Sequence, residues 1–299
     1  MIDVRTVETD EDIDAYLDVR NRIHPETPLP RELMLDQRRK PDRLDLIGEL
    51  DGVPVGAAST EIFGAAPNGD LAMVSIRVLS EHRRRGVGTE LHRRVSDHAR
   101  TLGKARCYAV VRHDDADSLA YYGARAYREV GRMQDVALDL ATVDLALPEV
   151  DFEILPATEE HERGAYAVAH EADADIPSGE PIRTGTFEQW QERHFGALAL
   201  RDLSFVALED GKVIGYAIMG LHDSETGGHA MTGVARAARG RGVALALKQT
   251  QVVAAKAGGW KTLRAQNDLS NVPMRRVNEK LGYVPLHEWV HLTGPLVDP

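Results

Sequence analysis

The two halves of the chain repeat each other at a fixed spacing of 156 residues. The segment Arg83-Arg84-Arg85-Gly86-Val87-Gly88 recurs as Arg239-Gly240-Arg241-Gly242-Val243-Ala244. A short glycine-rich match is weak evidence by itself, but matches over about fifty residues at one spacing indicate a duplicated domain. At 299 residues the chain is long enough for two domains. The same spacing also joins three single pairs: Val78 with Val234, Leu91 with Leu247, and Tyr127 with Tyr283.

Composition narrows the class of protein. The formal net charge of −11 argues against a general nucleic-acid binder and favours a cationic small-molecule partner, although acidity can also serve solubility alone. No apolar run is long enough for a membrane span, and the charged N-terminus lacks the apolar segment of a signal peptide. Cys107 is the only cysteine, which excludes an intrachain disulfide and a multi-cysteine metal site. We therefore expect a cytoplasmic protein without a membrane partner.

Both halves predict the same order of elements, β-α-α-β-β-β-α-β-α-β. A hairpin turn signal stands in each half, Asp51-Gly52 in the first and Asp210-Gly211 in the second. The sequence thus predicts an α+β fold with two domains in tandem, each a mixed, mostly antiparallel sheet flanked by helices. We place the first domain at residues 1–140, a linker at 141–150 and the second domain at 151–299.

One metal-site motif occurs literally, since residues 287–291 read His-Glu-x-x-His. The motif holds zinc only on a helix, where the two imidazoles lie one turn apart. Here it follows Pro285 in a stretch that is predicted to be extended. In a strand the two histidines would lie roughly 13 Å apart, too far to share one ion. We interpret the motif as a chance match and expect no metal.

Each glycine-rich segment lies between a predicted strand and a predicted helix. Small residues let the backbone N–H groups at a helix N-terminus come close to an anion, and the helix dipole favours negative charge. A pyrophosphate is the expected ligand. Neither copy is a Walker A loop or a dinucleotide fingerprint, because Gly-Lys-Ser/Thr is missing and the third glycine position is Leu91. The alternative is a tight turn that carries surface arginines.

At these segments the chain resembles the GNAT superfamily of N-acetyltransferases, and the likeness covers nearly its whole length as a tandem pair. The resemblance implies that acetyl-CoA binds with its pyrophosphate on the glycine turn and its pantetheine arm along the preceding strand. It also implies that an amine attacks the thioester directly while a backbone N–H stabilises the oxyanion. The implied cofactor-binding residues are Val78, Arg83, Arg84, Arg85, Gly86, Val87, Gly88, Thr89, Val234, Arg239, Gly240, Arg241, Gly242, Val243, Ala244 and Asn271.

The halves differ at the tyrosine that commonly protonates the departing thiolate in this family. Tyr122 stands five residues before Tyr127, where that acid is usually found, and the matching residue of the second half is Asn278. Tyr122 could instead be a half-buried aromatic that packs the helix. Asn267, Asn271 and Asn278 resemble the family's amide contacts to the pantetheine arm, although Asn271 could be only a helix N-cap.

The leading hypothesis is an acetyl-CoA-dependent N-acetyltransferase of small-molecule amines, with cationic amines favoured, chemistry in the first domain and Tyr122 as general acid. One alternative moves catalysis to the second domain. Another is a non-catalytic acyl-CoA-binding module, and nucleic-acid binding through Arg83–Arg85 is the weakest reading. Glu61 is our candidate for the general base. The residues do not distinguish between acceptor amines, and the chain could form a homodimer.

Overall fold

The structure is a computed structural model that describes residues 1–25, 27–64, 69–177 and 182–298. The chain divides into two compact units, residues 1–130 together with 291–299 (unit 1) and residues 131–290 (unit 2). These units do not coincide with the expected domains of 1–140 and 151–299, because the chain's last nine residues belong to unit 1. The expected bounds concern the sequence repeat and stay a prediction.

Within its described residues, the first half of the chain has six strands and four α-helices. A box of reciprocal hydrogen bonds between Thr9 and Asp12 caps the first helix. The elements are β1 (Ile2–Thr6), α1 (Asp10–Ile23), α2 (Arg31–Gln37), β2 (Leu44–Leu50), β3 (Val53–Ile62), β4 (Leu71–Val78), α3 (Val87–Thr101), β5 (Arg106–Arg112), α4 (Ala116–Gly123) and β6 (Arg128–Asp139).

The second half repeats this order of elements. Its first two helices begin at capping threonines, Thr158 and Thr186. The elements are β7 (Glu153–Pro156), α5 (Glu159–Ala172), α6 (Phe187–Phe195), β8 (Phe205–Glu209), β9 (Lys212–Leu221), β10 (Thr226–Val234), α7 (Val243–Ala257), β11 (Thr262–Asp268), α8 (Val272–Lys280) and β12 (Val284–Pro295).

In unit 1 the strands lie in the order β1-β2-β3-β4-β5, and the C-terminal part of β12 lies beside β5. Pairing is antiparallel from β1 to β4, whereas β4 and β5 run parallel. In unit 2 the order is β6-β11-β10-β9-β8-β7, with β10 and β11 as the parallel pair. The predicted mixed, mostly antiparallel sheet with flanking helices is therefore confirmed in each unit.

Each parallel pair separates after three residue pairs. In unit 1 pairing ends at Met73 with Tyr108, although β4 continues to Val78. In unit 2 it ends at Gly228 with Arg264, although β10 continues to Val234. The diverging strands leave a wedge-shaped cleft in each unit, and we call the point where pairing stops its vertex.

A helix is held close beneath each separated strand. In unit 1, α3 packs on strands that carry glycine at the contact: a side chain at Gly56 would place its Cβ 2.8 Å from Leu91 Cδ1 and 3.0 Å from Val87 Cγ1. In unit 2, Gly215 gives Val243 and Leu247 the same close approach. On the opposite face of unit 2, α5 and α6 bury Trp190 and Tyr216. The helix N-terminus is thus fixed at the open end of each cleft.

The motif at residues 287–291 lies in strand β12, so the predicted extended conformation is confirmed. Within the described residues no group of three or more His, Cys, Asp or Glu side chains is placed to hold a metal ion. In the described part of the chain, none of the helices is long and apolar enough to cross a membrane.

We expect Gly56→Ala to destabilise unit 1 by about 1–3 kcal/mol, because the added methyl group overlaps Leu91 and Val87 in a packed core. Calorimetric and denaturant unfolding would measure the loss. Gly123→Ala is the matched control, since a Cβ at Gly123, the last residue of α4, meets no atom within 4 Å. Equal effects of the two substitutions would contradict the close packing of α3 on the sheet.

Candidate functional site

The free edge of β4 lines the cleft of unit 1. Backbone bonds from Leu79 to Val55 and from Phe63 to Leu71 show that the odd-numbered residues of β4 exchange hydrogen bonds with β3. Along an antiparallel strand the even-numbered residues then direct their N–H and C=O groups to the other side. Beyond the vertex these are Val74, Ile76 and Val78, and they have no β5 partner. The cleft therefore offers backbone groups to an extended ligand.

The glycine turn of unit 1 lies at the open end of this cleft. Gly86 caps α3 with φ of 91°, a conformation that favours glycine, and no side chain bonds the N–H groups of the first turn. Val87 is buried and anchors the helix, whereas Arg84, Arg85 and Thr89 are exposed. The turn thus presents N–H groups without a side-chain partner, and it carries two exposed arginines.

Arg83 of this turn is held in place by contacts with β4 and with the start of α4. Its Nε donates to Val78 O at 3.3 Å, and its guanidinium lies 3.5 Å from Asp115 and 3.4 Å from Asp117 at the start of α4. Burial alone would raise the pKa of Asp115, but bonds from Ser118 and the charge of Arg83 hold it below its usual range. Arg83 therefore links β4 to α4 across the open end of the cleft.

A buried imidazole organises the aromatic residues around the same cleft. Tyr121 donates its hydroxyl hydrogen to Gly88 O at 2.8 Å, so its oxygen accepts from His92 Nδ1 at 3.1 Å. His92 Nε2 is then the acceptor for the Tyr127 hydroxyl, at 2.9 Å. Burial lowers the pKa of His92 to about 3, which keeps the ring neutral and suits this arrangement. The network ties α4 and Tyr127 to the first turn of α3.

Tyr122 lies beside this network without joining it. Its side chain is buried, with 4% of its surface exposed, and its ring contacts Tyr121 and Tyr127. Within the described residues its hydroxyl makes no hydrogen bond. Burial raises the pKa of Tyr122, while the nearby charge of Arg77 opposes that rise. Arg77 Nε is itself buried without a partner, so two polar groups near the cleft lack partners.

Glu61, the candidate base, is engaged elsewhere in unit 1. Its Oε2 lies 3.0 Å from Lys40 Nζ and 3.4 Å from Arg43 Nη1. The Glu61 carboxylate therefore pairs with two cations of unit 1, and its role as the base stays a prediction.

The cleft of unit 2 differs in its strand. A β-bulge interrupts the pairing of β10 with β9 between His229 and Met231, so Ala230 is the extra residue. The corresponding pairing of β4 with β3 is regular. Ala235 N donates to Ile214 O, so Thr232 and Val234 direct their backbone groups toward β11. Unit 2 therefore also has a free strand edge, with an irregularity close to the vertex.

The second glycine turn has the same form but different ion pairs. Gly240 and Gly242 take φ values of 79° and 84°, and no side chain caps α7. Arg239 pairs with Asp175 at 2.8 Å, and Arg241 pairs with Glu209 at 2.6 Å. These exposed pairs contribute little stability and can exchange partners. Val243 anchors this helix, and Ala244 follows it in the first turn.

The asparagines of unit 2 cluster where α8 follows β11. Asn271 caps α8 by accepting from Met274 N at 3.3 Å, which is the N-cap role considered for it. Asn278, which replaces the tyrosine, is 2% exposed and donates to Asn267 Oδ1. Its own Oδ1 is buried without a partner. A contact of these amides with a pantetheine arm stays a prediction.

Three residues at the vertex of unit 2 were missed by sequence reasoning. Lys248 on α7 is 2% exposed, and its Nζ lies 5.5 Å from the centre of the Tyr283 ring. The Tyr283 hydroxyl contacts His229 Nε2, while His229 Nδ1 is buried without a partner. Burial lowers the pKa of Lys248 to about 7. The spacing of 156 aligns Lys248 with His92, but the extra residue Ala230 puts His229 in the place of Val74, so the sequence repeat gives no clear signal for this site.

Comparison with protein families gives two matching regions. The acetyltransferase (GNAT) family matches residues 11–127 and 162–283. A search of curated proteins found no match.

Solved structures share the fold over the whole chain. A GCN5-related N-acetyltransferase from Sphaerobacter thermophilus is 19% identical with a TM-score of 0.81, over 99% of this chain and 96% of that one. A tandem GNAT protein from the clavulanic acid biosynthesis pathway is 19% identical with a TM-score of 0.78, over 100% of both chains. A glucosamine N-acetyltransferase region of a fungal multi-domain GH3 β-N-acetylglucosaminidase is 18% identical with a TM-score of 0.79, over 98% of this chain and 38% of that one.

We expect Lys248→Met to raise the free energy of unfolding by about 1 kcal/mol or more near pH 6, because it removes a buried amine without a partner. The Lys248 pKa falls from 10.5 unfolded to about 7 folded, so the unfolded state binds more protons between these values. Wild-type stability should therefore rise with pH from about 7 to 10.5 relative to the variant. Denaturant unfolding across this range measures the difference.

Lys261→Met is the control for the loss of one positive charge, since Lys261 is exposed in the same unit. Its difference from the wild type should not change over the same pH range. A Lys248→Met variant that loses stability at every pH would show that the amine has a partner in the folded protein.

Proposed function

The chain belongs to the acetyltransferase (GNAT) family, and on this basis we propose that it is an acetyl-CoA-dependent N-acetyltransferase acting on an amine of a small molecule. We place the chemistry in unit 1, with Tyr122 as general acid. The observation that carries this assignment is the unbonded hydroxyl of Tyr122, whose side chain is 4% exposed and whose pKa responds to the charge of Arg77 on β4.

The residues of unit 1 fit a CoA thioester. The unbonded N–H groups at the start of α3 and the exposed Arg84 and Arg85 suit the pyrophosphate. The outward backbone groups of Ile76 and the N–H of Val78 suit the amides of the pantetheine arm, whereas Val78 O accepts from Arg83. When bound, acetyl-CoA supplies the thioester from which the amine takes its acetyl group. Asp115 and Asp117 keep Arg83 away from phosphate, so the remaining arginines of the turn have that role.

The chain's own groups then have two tasks. Backbone N–H groups of β4 that face the cleft donate to the thioester oxygen as its negative charge grows. Tyr122 gives its proton to the sulfur as the C–S bond breaks, while the amine nitrogen forms its new bond and loses a proton to water or a base. Burial holds the Tyr122 proton in place at neutral pH, and the Arg77 charge makes the phenol more acidic.

Unit 2 is the second candidate for catalysis, and its β-bulge favours it. The extra residue Ala230 leaves the ladder of β10 irregular close to the vertex, where an unpaired N–H could stabilise an oxyanion. Asn278 stands where the acid would be needed, and an amide is not a proton donor of comparable strength. Unit 1 is therefore the better-supported location for catalysis.

The acceptor we propose is a cationic small molecule such as an amino sugar or a polyamine. The net charge of −11 would concentrate a protonated amine near the protein. The fungal neighbour, whose name identifies a glucosamine N-acetyltransferase region, belongs to the same class of amines. We expect neither nucleic acid nor a membrane as a partner, and we expect a cytoplasmic location. The chain could also form a homodimer.

Tyr122→Phe should lower kcat by about tenfold or more while acetyl-CoA affinity is retained, because only the proton donor is removed. Steady-state kinetics under conditions where chemistry limits the rate, together with calorimetric titration, would measure both. Tyr216→Phe is the matched control. Tyr216 is a buried tyrosine of unit 2 whose hydroxyl also lacks a partner, so its removal should leave kcat unchanged. Wild-type turnover in Tyr122→Phe would move the chemistry to unit 2 or to solvent.

The kcat/KM for the preferred amine should fall as salt rises, since screening weakens the attraction between an acidic protein and a cation. The measurement is kcat/KM between low and physiological ionic strength for amines of different charge. A neutral acceptor measured in parallel controls for general salt effects. An anionic best acceptor, or a kcat/KM that is independent of salt, would contradict the electrostatic part of the proposal.

A further inference from the structure

We propose that the vertex of unit 2, formed by His229, Lys248 and Tyr283, binds a carboxylate at the end of an acyl chain carried by CoA. Unit 2 would then prefer the CoA thioester of a dicarboxylic acid to acetyl-CoA. The inference rests on the proposed function in one respect, namely that a CoA thioester enters the cleft of this unit.

The first support is an unpaired buried amine. Lys248 is 2% exposed, and within the described residues its Nζ makes no hydrogen bond or ion pair. The face of the Tyr283 ring lies 5.5 Å from this Nζ. Burial lowers the Lys248 pKa, and no carboxylate of the described residues compensates the charge. An ionised amine in such a place requires an anionic partner.

The second support is a donor directed into the same place. The Tyr283 hydroxyl has no other acceptor within the described residues, so it donates to His229 Nε2 and leaves the ring proton on Nδ1. That Nδ1 is buried and unbonded. Gln251 favours the protonated form of this ring and its own Oε1 is likewise buried without a hydrogen bond, so a ligand carboxylate at Nδ1 would compete with that amide oxygen. Burial and then the charge of Lys248 lower the His229 pKa, which places the amine and the imidazole close together.

Position along the strand connects these groups to an acyl chain. Pairing of β10 with β11 ends at Gly228, and His229 is the next residue. A ligand that follows the free edge of β10 from Val234 inward therefore ends at His229. The group that reaches this point is the far end of the acyl chain, beyond the thioester.

Unit 1 provides an internal contrast. Val74 lies where unit 2 has His229, because the extra residue Ala230 shifts the spacing by one, and His92 lies where unit 2 has Lys248. His92 bonds both Tyr121 and Tyr127, so that vertex has a neutral ring with both nitrogens satisfied. The residue that corresponds to Tyr121 is Val277, which cannot bond Lys248. The vertex of unit 1 suits a small apolar acetyl group, whereas the vertex of unit 2 suits an acyl group that ends in a negative charge.

Calorimetric titration of the full-length protein with acetyl-CoA, succinyl-CoA and free succinate tests this assignment. We expect succinyl-CoA to bind unit 2 about tenfold or more tightly than acetyl-CoA, since a charge-assisted hydrogen bond to a buried amine is strong. Lys248→Met should abolish that preference and leave the acetyl-CoA Kd within about twofold. Lys261→Met, the exposed charge control, should retain the preference. Lys248→Gln replaces Lys248→Met if the latter does not fold.

The remaining outcomes distinguish failure of the carboxylate pocket from failure of the proposed function. Equal affinity for the two thioesters in the wild type, or a preference that survives Lys248→Met, would overturn the carboxylate pocket and leave acetyl-CoA binding intact. Free succinate that binds as tightly as succinyl-CoA would overturn the acyl-chain assignment, because the carboxylate would then belong to a different ligand. Failure of every CoA thioester to bind would contradict the proposed function itself.

Discussion

Everything proposed for this protein depends on the early end of strand pairing between β4 and β5, and between β10 and β11. A parallel pair that continued to the ends of its strands would satisfy its backbone internally. Separation after three residue pairs leaves backbone groups of β4 and β10 without a strand partner, which is costly unless a side chain, water or a ligand binds them. Arg83 and Arg239 bind the last carbonyl groups of these rows, Val78 O and Val234 O. Because a helix begins at the open end of each cleft, the same separation brings backbone donors and an anion-binding turn together.

The two units share the same order of strands and helices but differ in the residues at the vertex of the cleft. In unit 1 a neutral His92 bonds Tyr121 and Tyr127, and Tyr122 is left with a free hydroxyl. In unit 2 the corresponding region holds a buried Lys248 and an amide, Asn278, in place of the phenol. The first set of groups can transfer a proton to sulfur, and the second can bind negative charge. Two units of one fold can thereby serve different acyl groups.

Much of this could be predicted from the sequence, because the fixed spacing of 156 doubled the evidence for each element. The strand ending at Val78 and the helix starting at Val87 follow from alternation, from helical periodicity and from the glycines between them. The vertices could not be predicted in this way. Lys248 stands in an alanine-rich helix, and only its burial distinguishes it from a solvated lysine. The division at residues 130 and 290 depends on where β12 lies, a long-range contact that leaves no local signal.

The central claim is that a CoA thioester enters the cleft of unit 1 with its sulfur beside Tyr122. A crystal structure of the full chain with an unreactive acetyl-CoA analogue tests it most directly. We predict a pyrophosphate at the N-terminus of α3 and a pantetheine arm along Ile76 and Val78. The thioester sulfur should lie within hydrogen-bond reach, about 3–4 Å, of the Tyr122 hydroxyl. A ligand found only in unit 2, or a sulfur directed away from Tyr122, would contradict it.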